Sequence, residues 1–378
     1  MRSSAGAHHE RVAVELAVAA HPEAWDIGSP RTAMINPTAE EARTADAEGG
    51  RRPAVSVVVP CRNERLHIEE TVRSILSQRG VAGGYEVLVV DGQSDDGTRE
   101  VLSRLHASHP SLRVVDNPAR ITAAAMNRGI ELSTGDLVAI LGAHTLYPAD
   151  YLAKCQELLT EHPDADCAGG TIESRGASPF GRAVAFAMSH PGGVGNARHR
   201  YPGYEGYAEG ACFPMFRREA LLRTGLYDTT LVRNQDDDLN YRFRQAGGRV
   251  FISHRARCVY FVRESAGALF RQYYQYGAWR PRVLRKHGEV ASWRQLAPVA
   301  FYAWLCLSIL LAPVVSSALR ALLWAPALAY VAMLVATLLL SAPTLGLSSA
   351  LRVPLALVTL HFAYALGFAS ALFRKPSA

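Results

Sequence analysis

The chain has 378 residues with 40 Lys and Arg against 34 Asp and Glu, a formal net charge of +6. That length allows one large catalytic domain plus something smaller, and no groove-forming basic motif accompanies the modest charge, which argues against nucleic acid as a partner. The six cysteines, at 61, 155, 167, 212, 258 and 306, show no CxxC or metal-like spacing and are expected as reduced, mostly buried thiols rather than a disulfide framework.

Residues 1–52 are rich in Ala, Glu, Arg, Gly and Pro without sustained periodicity, and are expected to form a disordered tail. Their one apolar run, Val12 to Ala20, is short and broken by Glu15, and no small-residue cleavage site follows. No signal peptide is expected.

Folded sequence begins at Ala54. Val55 to Pro60 is a short β-branched run of the buried-strand kind, stopped by proline. Ile68, Val72, Ile75 and Leu76 then recur at helical spacing. A second strand, Tyr85 to Val90, ends in Asp91-Gly92; helix-like Arg99 to Ala107 leads to a third, Leu112 to Val115. Ile121 to Leu132 is again helical and Leu137 to Leu141 is a fourth strand. Strands alternating with helices predict an α/β domain, doubly wound on a largely parallel sheet. Ligands of such sheets bind beyond the carboxyl ends of the strands, so the polar residues there are the candidates.

From Gln295 to Phe373 the only Asp, Glu, Lys or Arg are Arg320 and Arg352, with His361 as a further titratable group. Leu296–Ser316, about 321–342 and Val353–Phe373 are each near the ~20 residues that cross a bilayer as helix, with prolines 313, 326 and 343 near the ends. About three C-terminal transmembrane helices are expected over 295–374. Between Arg271 and Arg294 six Lys and Arg face one acid, Glu289. A basic amphipathic segment over 271–294 fits the cytoplasmic side of a membrane, facing anionic lipid. The expectation is a multi-pass protein of the cytoplasmic membrane with its catalytic domain, 53–270, in the cytoplasm. Three spans would leave Arg374 and Lys375 outside, against the positive-inside tendency.

Two turns carry polar chemistry. Pro60-Cys61-Arg62-Asn63-Glu64 follows the first strand, and Asp91-Gly92-Gln93-Ser94-Asp95-Asp96-Gly97-Thr98 follows the second. A carboxylate at a strand end accepts hydrogen bonds from an imide N–H or a ribose hydroxyl, although such a turn is also an ordinary helix N-cap. Further on, Asn234-Gln235-Asp236-Asp237-Asp238-Leu239 offers a carboxylate for general-base work, or simply a helix start favoured by the dipole.

In order, VSVVVPCRNE, YEVLVVDGQSDDGT, ITAAAMNRGIELSTGDLVAILGAHTLYPADYL and GACFPMFRREALLRTGLYDTTLVRNQDDDLNYRFRQAGGRV resemble the family 2 glycosyltransferases of the GT-A fold over about Val55 to Arg285. With QYYQYGAWR and the apolar tail, the chain is similar to the succinoglycan-type exopolysaccharide glucosyltransferases. The resemblance implies a UDP-linked nucleotide-sugar donor, with glucose from UDP-glucose as the expected substrate and a lipid-linked saccharide as acceptor at the membrane. It also implies that Pro60, Asn63 and Glu64 line the nucleotide end, that Asp91 holds the base, and that Asn127 and Arg128 pass the donor phosphates. The family often has a second Asp where Gly92 stands. Where it carries Asp-x-Asp, this chain reads Gly142-Ala143-His144, leaving His144 as the expected ligand of a divalent metal, Mn²⁺ better than Mg²⁺. Asp236 corresponds to the general base, with Asp237 and Asp238 in support and Gln235 where a Glu is usual. Gln275, Trp279 and Arg280 occupy the place of the family's Q-x-x-R-W segment with altered spacing: Arg280 to clamp diphosphate, Trp279 to stack on a sugar, or all three on a surface helix. The spacing points to single transfer rather than processive synthesis. The losses at 92, 142 and 235 leave open a non-catalytic nucleotide-sugar-binding subunit, and the same fold also serves polyisoprenyl-phosphate sugar transfer.

Overall fold

The computed structural model describes residues 52–109, 111–288 and 295–373. The expected N-terminal tail and the end of the basic segment, 289–294, lie outside these. In chain order the elements are β1 (Val55–Cys61), α1 (Ile68–Leu76), β2 (Tyr85–Asp91), α2 (Thr98–Ser108), β3 (Leu112–Asp116), α3 (Thr122–Leu132), β4 (Leu137–Ile140), α4 (Tyr151–Glu161), β5 (Cys167–Arg175), α5 (Pro179–Met188), β6 (Glu205–Ala208), β7 (Cys212–Arg217), α6 (Arg218–Thr224), α7 (Gln235–Gln245), β8 (Val250–Phe261), α8 (Ala266–His287), α9 (Ala297–Leu311), α10 (Ser317–Leu345) and α11 (Val353–Phe373). The described residues form two compact units: those of 52–171 with 203–258, and those of 172–202 with 259–373. The segment 172–202 packs with the helices that follow β8.

The first unit is built on the eight-stranded sheet, in the order β3-β2-β1-β4-β7-β5-β8-β6. Strands β3, β2, β1 and β4 run parallel, as their helical crossovers require. Beyond β4 the pairing changes sense: β7 is antiparallel to β4 and to β5, and β6 to β8. The sheet is thus mixed, its parallel half carrying the βα repeats read from the sequence. Val55, Val57, Val58 and Val59 of β1 and Val87 to Val90 of β2 are wholly buried, as expected for strands covered on both faces. Each such side chain contributes about 1.5–3 kcal/mol on leaving water. The alanine-rich α3 approaches β1 so closely that a β-carbon on Gly129 would strike Val58. Pro60 does not stop β1; the strand continues one residue to Cys61, opposite Asp91. The order β2-β1-β4 puts the topological switch point between β1 and β4, where the chain turns to the sheet's other side.

The second unit is helical. The Glu264 carboxylate caps the start of α5, accepting from the backbone N–H groups of Ala177 and Ser178 and from the Ser178 hydroxyl. Helices α8 and α11 meet through glycines: a β-carbon on Gly277 would strike the Tyr364 carbonyl, and one on Gly367 the Tyr274 carbonyl. Small residues that let backbones touch are the usual means of joining helices where water offers no hydrophobic drive. Among the described residues, two helical stretches are long and apolar enough to cross a membrane: Ser317–Leu345, 29 residues of mean hydropathy 2.1, and Leu347–Phe373, 27 residues of mean hydropathy 1.7. The expected first span becomes the 15-residue α9, about 22 Å of helix, short of a ~30 Å hydrocarbon layer. Pro326 and Pro343 lie inside α10 rather than at its ends. In the turn before Pro326 the Leu323 carbonyl accepts from Trp304 Nε1 (2.9 Å) and Ser308 Oγ (3.0 Å), which helps an apolar helix tolerate proline.

Candidate active site

The turns after β1 and β2 are stitched into one platform. Asn63 adopts a left-handed φ of 54°; its N–H donates to Ser94 Oγ (2.8 Å), its amide Nδ2 to Asp95 Oδ1 (2.9 Å), and its Oδ1 accepts from the Asp95 N–H (3.0 Å). The Glu64 N–H donates to Thr98 Oγ1 (2.9 Å) and the Arg65 N–H to Asp96 Oδ2 (3.1 Å). Burial would raise the Asp96 carboxyl, but the Thr98 hydroxyl and backbone N–H groups outweigh it and hold the group below its ordinary value. Asp91 differs from expectation. Its side chain is fully buried, accepts from the Ser94 N–H and hydroxyl and lies 3.7 Å from Arg99 Nε. It braces the platform from within. Gly92 is also explained: a β-carbon there would sit 3.2 Å from the Arg62 stem. Arg62 reaches the Arg120 carbonyl (3.3 Å), and Arg120 Nε donates to Gln93 Oε1 (2.8 Å). Sequence reading missed Arg62 and Arg120, which bring positive charge to the strand ends. The signal was the Asn117-Pro118-Ala119-Arg120 turn after β3.

Across the switch point, the turn after β4 meets the turn after β1. His144 Nδ1 lies 3.2 Å from Glu64 Oε1, with the imidazole half-exposed and the carboxylate more sheltered. The pair offers one nitrogen and one oxygen donor, and no third His, Cys, Asp or Glu completes a metal cage among the described residues. Those two donors fit a divalent ion that takes its remaining ligands from diphosphate oxygens and water, the usual arrangement at nucleotide sites. Gly142 is tied down by Tyr147, whose hydroxyl accepts from its N–H (2.7 Å). The same tyrosine meets the Phe213 ring edge-on, centroids 5.4 Å apart. Neither aromatic was foreseen from the sequence.

Asn127, expected at the donor phosphates, is committed elsewhere. Its Nδ2 donates to the Tyr227 carbonyl and its Oδ1 accepts from the Tyr227 N–H, both at 2.8 Å. It clasps α3 to the loop leading into α7. Arg128 beside it is half-buried.

The acidic triplet forms the first turn of α7, behind Asn234 in a left-handed φ of 59°. Its members diverge in environment. Asp236 is exposed, Asp237 intermediate and Asp238 buried. Asp238 accepts from Arg242 Nε (3.0 Å) and Nη2 (2.8 Å), and the same guanidinium donates to the carbonyls of Thr224, Gly225 and Leu226. Through Arg242, Asp238 holds the Gly225-Leu226-Tyr227 turn. Asp236 lies near Tyr227: burial first, and then the Asp236 carboxylate, push that phenol's pKa up. The Gln235 Oε1 atom is buried without a hydrogen-bond partner. Arg244 donates to the Glu209 carbonyl and Gly210 abuts the Asn240 side chain, so α7 supports the loop that leads to Phe213.

Gln275, Trp279 and Arg280 lie on α8 of the helical unit. Gln275 is exposed and Arg280 buried. Trp279 carries the Arg282 guanidinium 4.1 Å from its ring centroid, so one aromatic face expected for a sugar is already covered.

Comparison with known proteins follows the same residues. The model for glycosyl transferase family 2 matches residues 56–225. The chain is 35% identical over 248 residues to the succinoglycan biosynthesis protein ExoA of Rhizobium meliloti, covering 65% of this chain and 74% of that protein. It is 24% identical over 240 residues, 61% of this chain and 74% of the other, to the dolichyl N-acetyl-alpha-D-glucosaminyl phosphate 3-beta-D-2,3-diacetamido-2,3-dideoxy-beta-D-glucuronosyltransferase of Methanococcus voltae. Among solved structures, a mannosyltransferase from Pyrobaculum calidifontis in complex with GDP-Man and Mn²⁺ superposes with a TM-score of 0.58 at 21% identity, over 86% of this chain and 88% of that one. That likeness establishes the GT-A fold.

Proposed function

The chain belongs to glycosyl transferase family 2, and from that premise we propose that it transfers glucose from UDP-glucose, with inversion, to a lipid-linked saccharide during cell-surface polysaccharide synthesis. The observation that carries the catalytic assignment is the division within the acidic triplet. Asp238 is buried against Arg242, whereas Asp236 stands exposed on the first turn of α7. Asp236 takes the proton of the acceptor hydroxyl as that oxygen bonds to the anomeric carbon. The bond from that carbon to the diphosphate oxygen breaks, and the electron pair leaves with UDP, turning an α-linked donor into a β-linked product.

The leaving group departs as an anion and needs cationic stabilisation rather than a proton. A divalent ion held by Glu64 and His144 would neutralise diphosphate charge. The stitched platform of Asn63, Ser94, Asp95 and Thr98 supports the nucleotide end, with Arg62 and Arg120 adding positive charge there. Asp91 and Asn127 act by holding that scaffold in shape.

The names of the relatives support a glycan-building role, and a dolichyl-linked substrate in one of them favours a lipid-linked acceptor here. Two crossings by α10 and α11 would place the protein in the cytoplasmic membrane and return the chain to the face it left. The basic run on α8 fits that face. The test is Asp236→Asn in the full-length protein: transfer should fall by a factor of about 10²–10⁴, with UDP affinity near that of wild type. Wild-type-like turnover would remove Asp236 from the mechanism.

A further inference from the structure

The position that lacks its carboxylate, Gly142, is not an empty place. A β-carbon there would lie 2.9 Å from Cε1 of Phe213, closer than real β-carbons approach a rigid ring. Phe213 itself holds a φ of 49°, a left-handed conformation that a bulky side chain adopts only where its surroundings enforce it. The enforcement is visible. Tyr151 Oη donates to the Phe213 carbonyl (2.7 Å), and Tyr147 packs edge-on against the Phe213 ring. The Tyr147 hydroxyl also accepts from the Gly142 N–H, and the two tyrosine rings touch each other with centroids 5.3 Å apart. Both tyrosines are buried while Phe213 stays partly exposed, directly against the turn that ends in His144.

We propose that Phe213 is a positioning residue for the donor site, occupying the space a carboxylate side chain at 142 would need and, with Tyr147 and Tyr151, fixing the Gly142–His144 turn. Position 142 can then offer no side-chain oxygen ligand, and His144 is the turn's one metal-directed side chain. This inference rests on the transferase reading for its metal arm, and on sterics alone for its folding arm. It makes metal choice a property of a pair of residues: an imidazole with one carboxylate suits Mn²⁺, whereas Mg²⁺ prefers oxygen.

The experiment compares full-length wild type, Gly142→Asp, Phe213→Gly and the double variant in detergent. Glycine is chosen at 213 because it accepts the positive φ, so what is lost is the ring rather than the backbone geometry. Melting temperatures are measured first. Gly142→Asp should melt below wild type, and the double variant should recover relative to the sum of the single effects, the signature of two residues competing for one space. Next, Mn²⁺ bound in the presence of UDP is followed by electron paramagnetic resonance, and donor turnover is compared in Mn²⁺ and Mg²⁺. Phe213→Gly should bind Mn²⁺ about tenfold more weakly, a loss of ~1.4 kcal/mol. The double variant should shift its Mg²⁺-to-Mn²⁺ activity ratio upward by about tenfold, since a carboxylate then joins the site. Additive melting effects, or Gly142→Asp as stable as wild type, would overturn the steric pairing. Recovery of stability with an unchanged metal ratio and unchanged Mn²⁺ binding would overturn the positioning role. A wild-type protein that binds no UDP would sink the transferase reading instead, leaving the melting data to judge the pair.

Discussion

Replacing Asp238 by Asn tests whether the acidic triplet divides as the structure indicates. The side chain keeps its volume but loses its charge, and the Arg242 guanidinium, 23% exposed beside a carboxylate at 0%, is left without its counter-ion. Breaking a buried pair by removing one partner costs about 3–5 kcal/mol. Arg242 retains the carbonyls of Thr224, Gly225 and Leu226, which places the loss toward the lower end, about 3 kcal/mol. For a unit of this size that corresponds to a melting temperature lower by roughly 6–12 °C. Asp236→Asn, at an exposed position, should stay within about 0.5 kcal/mol of wild type in stability while losing transfer. Melting is followed by circular dichroism, since the sheet unit holding Asp238 has no tryptophan among its described residues, and activity is assayed well below both transitions. An Asp238→Asn protein that melts like wild type yet transfers nothing would refute the division and make Asp238 the base.

Three further outcomes are expected. Asn127→Ala removes both hydrogen bonds to the Tyr227 backbone and should cost about 1–3 kcal/mol of stability, with UDP affinity, measured by calorimetry on the folded protein, little changed. Burial holds His67 below its ordinary 6.5, with His144 acting in the same direction and Glu64 opposing. Its depressed value means a stability contribution present above 6.5 and lost as pH falls through the lowered value. Melting temperature should therefore decline between pH 7.5 and 5.5, and decline less in His67→Gln. Gly367→Leu should force α8 and α11 apart and lower detergent stability, while Leu366→Ala at the exposed neighbouring position should not.

Much of the parallel half of the sheet was legible because β-branched runs and helical spacing alternate there without ambiguity. Val55 to Pro60 and Tyr85 to Val90 could be little else than buried strands. The antiparallel half was not legible: β6 and β7 lie only three residues apart yet pair with other strands, β6 with β8 and β7 with β4 and β5, and the segment after β5 joins the helical unit without any break in composition. At the site, motif order located the right turns but not the state of each side chain. Asp91 and Asp236 are the same residue type at similar punctuation, yet one is sealed by Ser94 and Arg99 and the other faces solvent. Burial of that kind is set by tertiary packing, which a local pattern does not contain. Phe213 escaped notice for the same reason, since a strained φ leaves no mark in the sequence.

The glycine contact between α8 and α11 bears on how the protein can be handled. Half of the most apolar window of the last helical stretch is buried against its own unit, unlike α10, where only 11% is. The final helix therefore serves as a structural companion of α8. A shortened, water-soluble version ending at His287 would uncover Tyr273, Gly277 and the surrounding apolar face of α8, an aggregation-prone surface of the kind that soluble monomers avoid. Extraction in a mild detergent that keeps both helices paired is the form in which the enzyme should be studied.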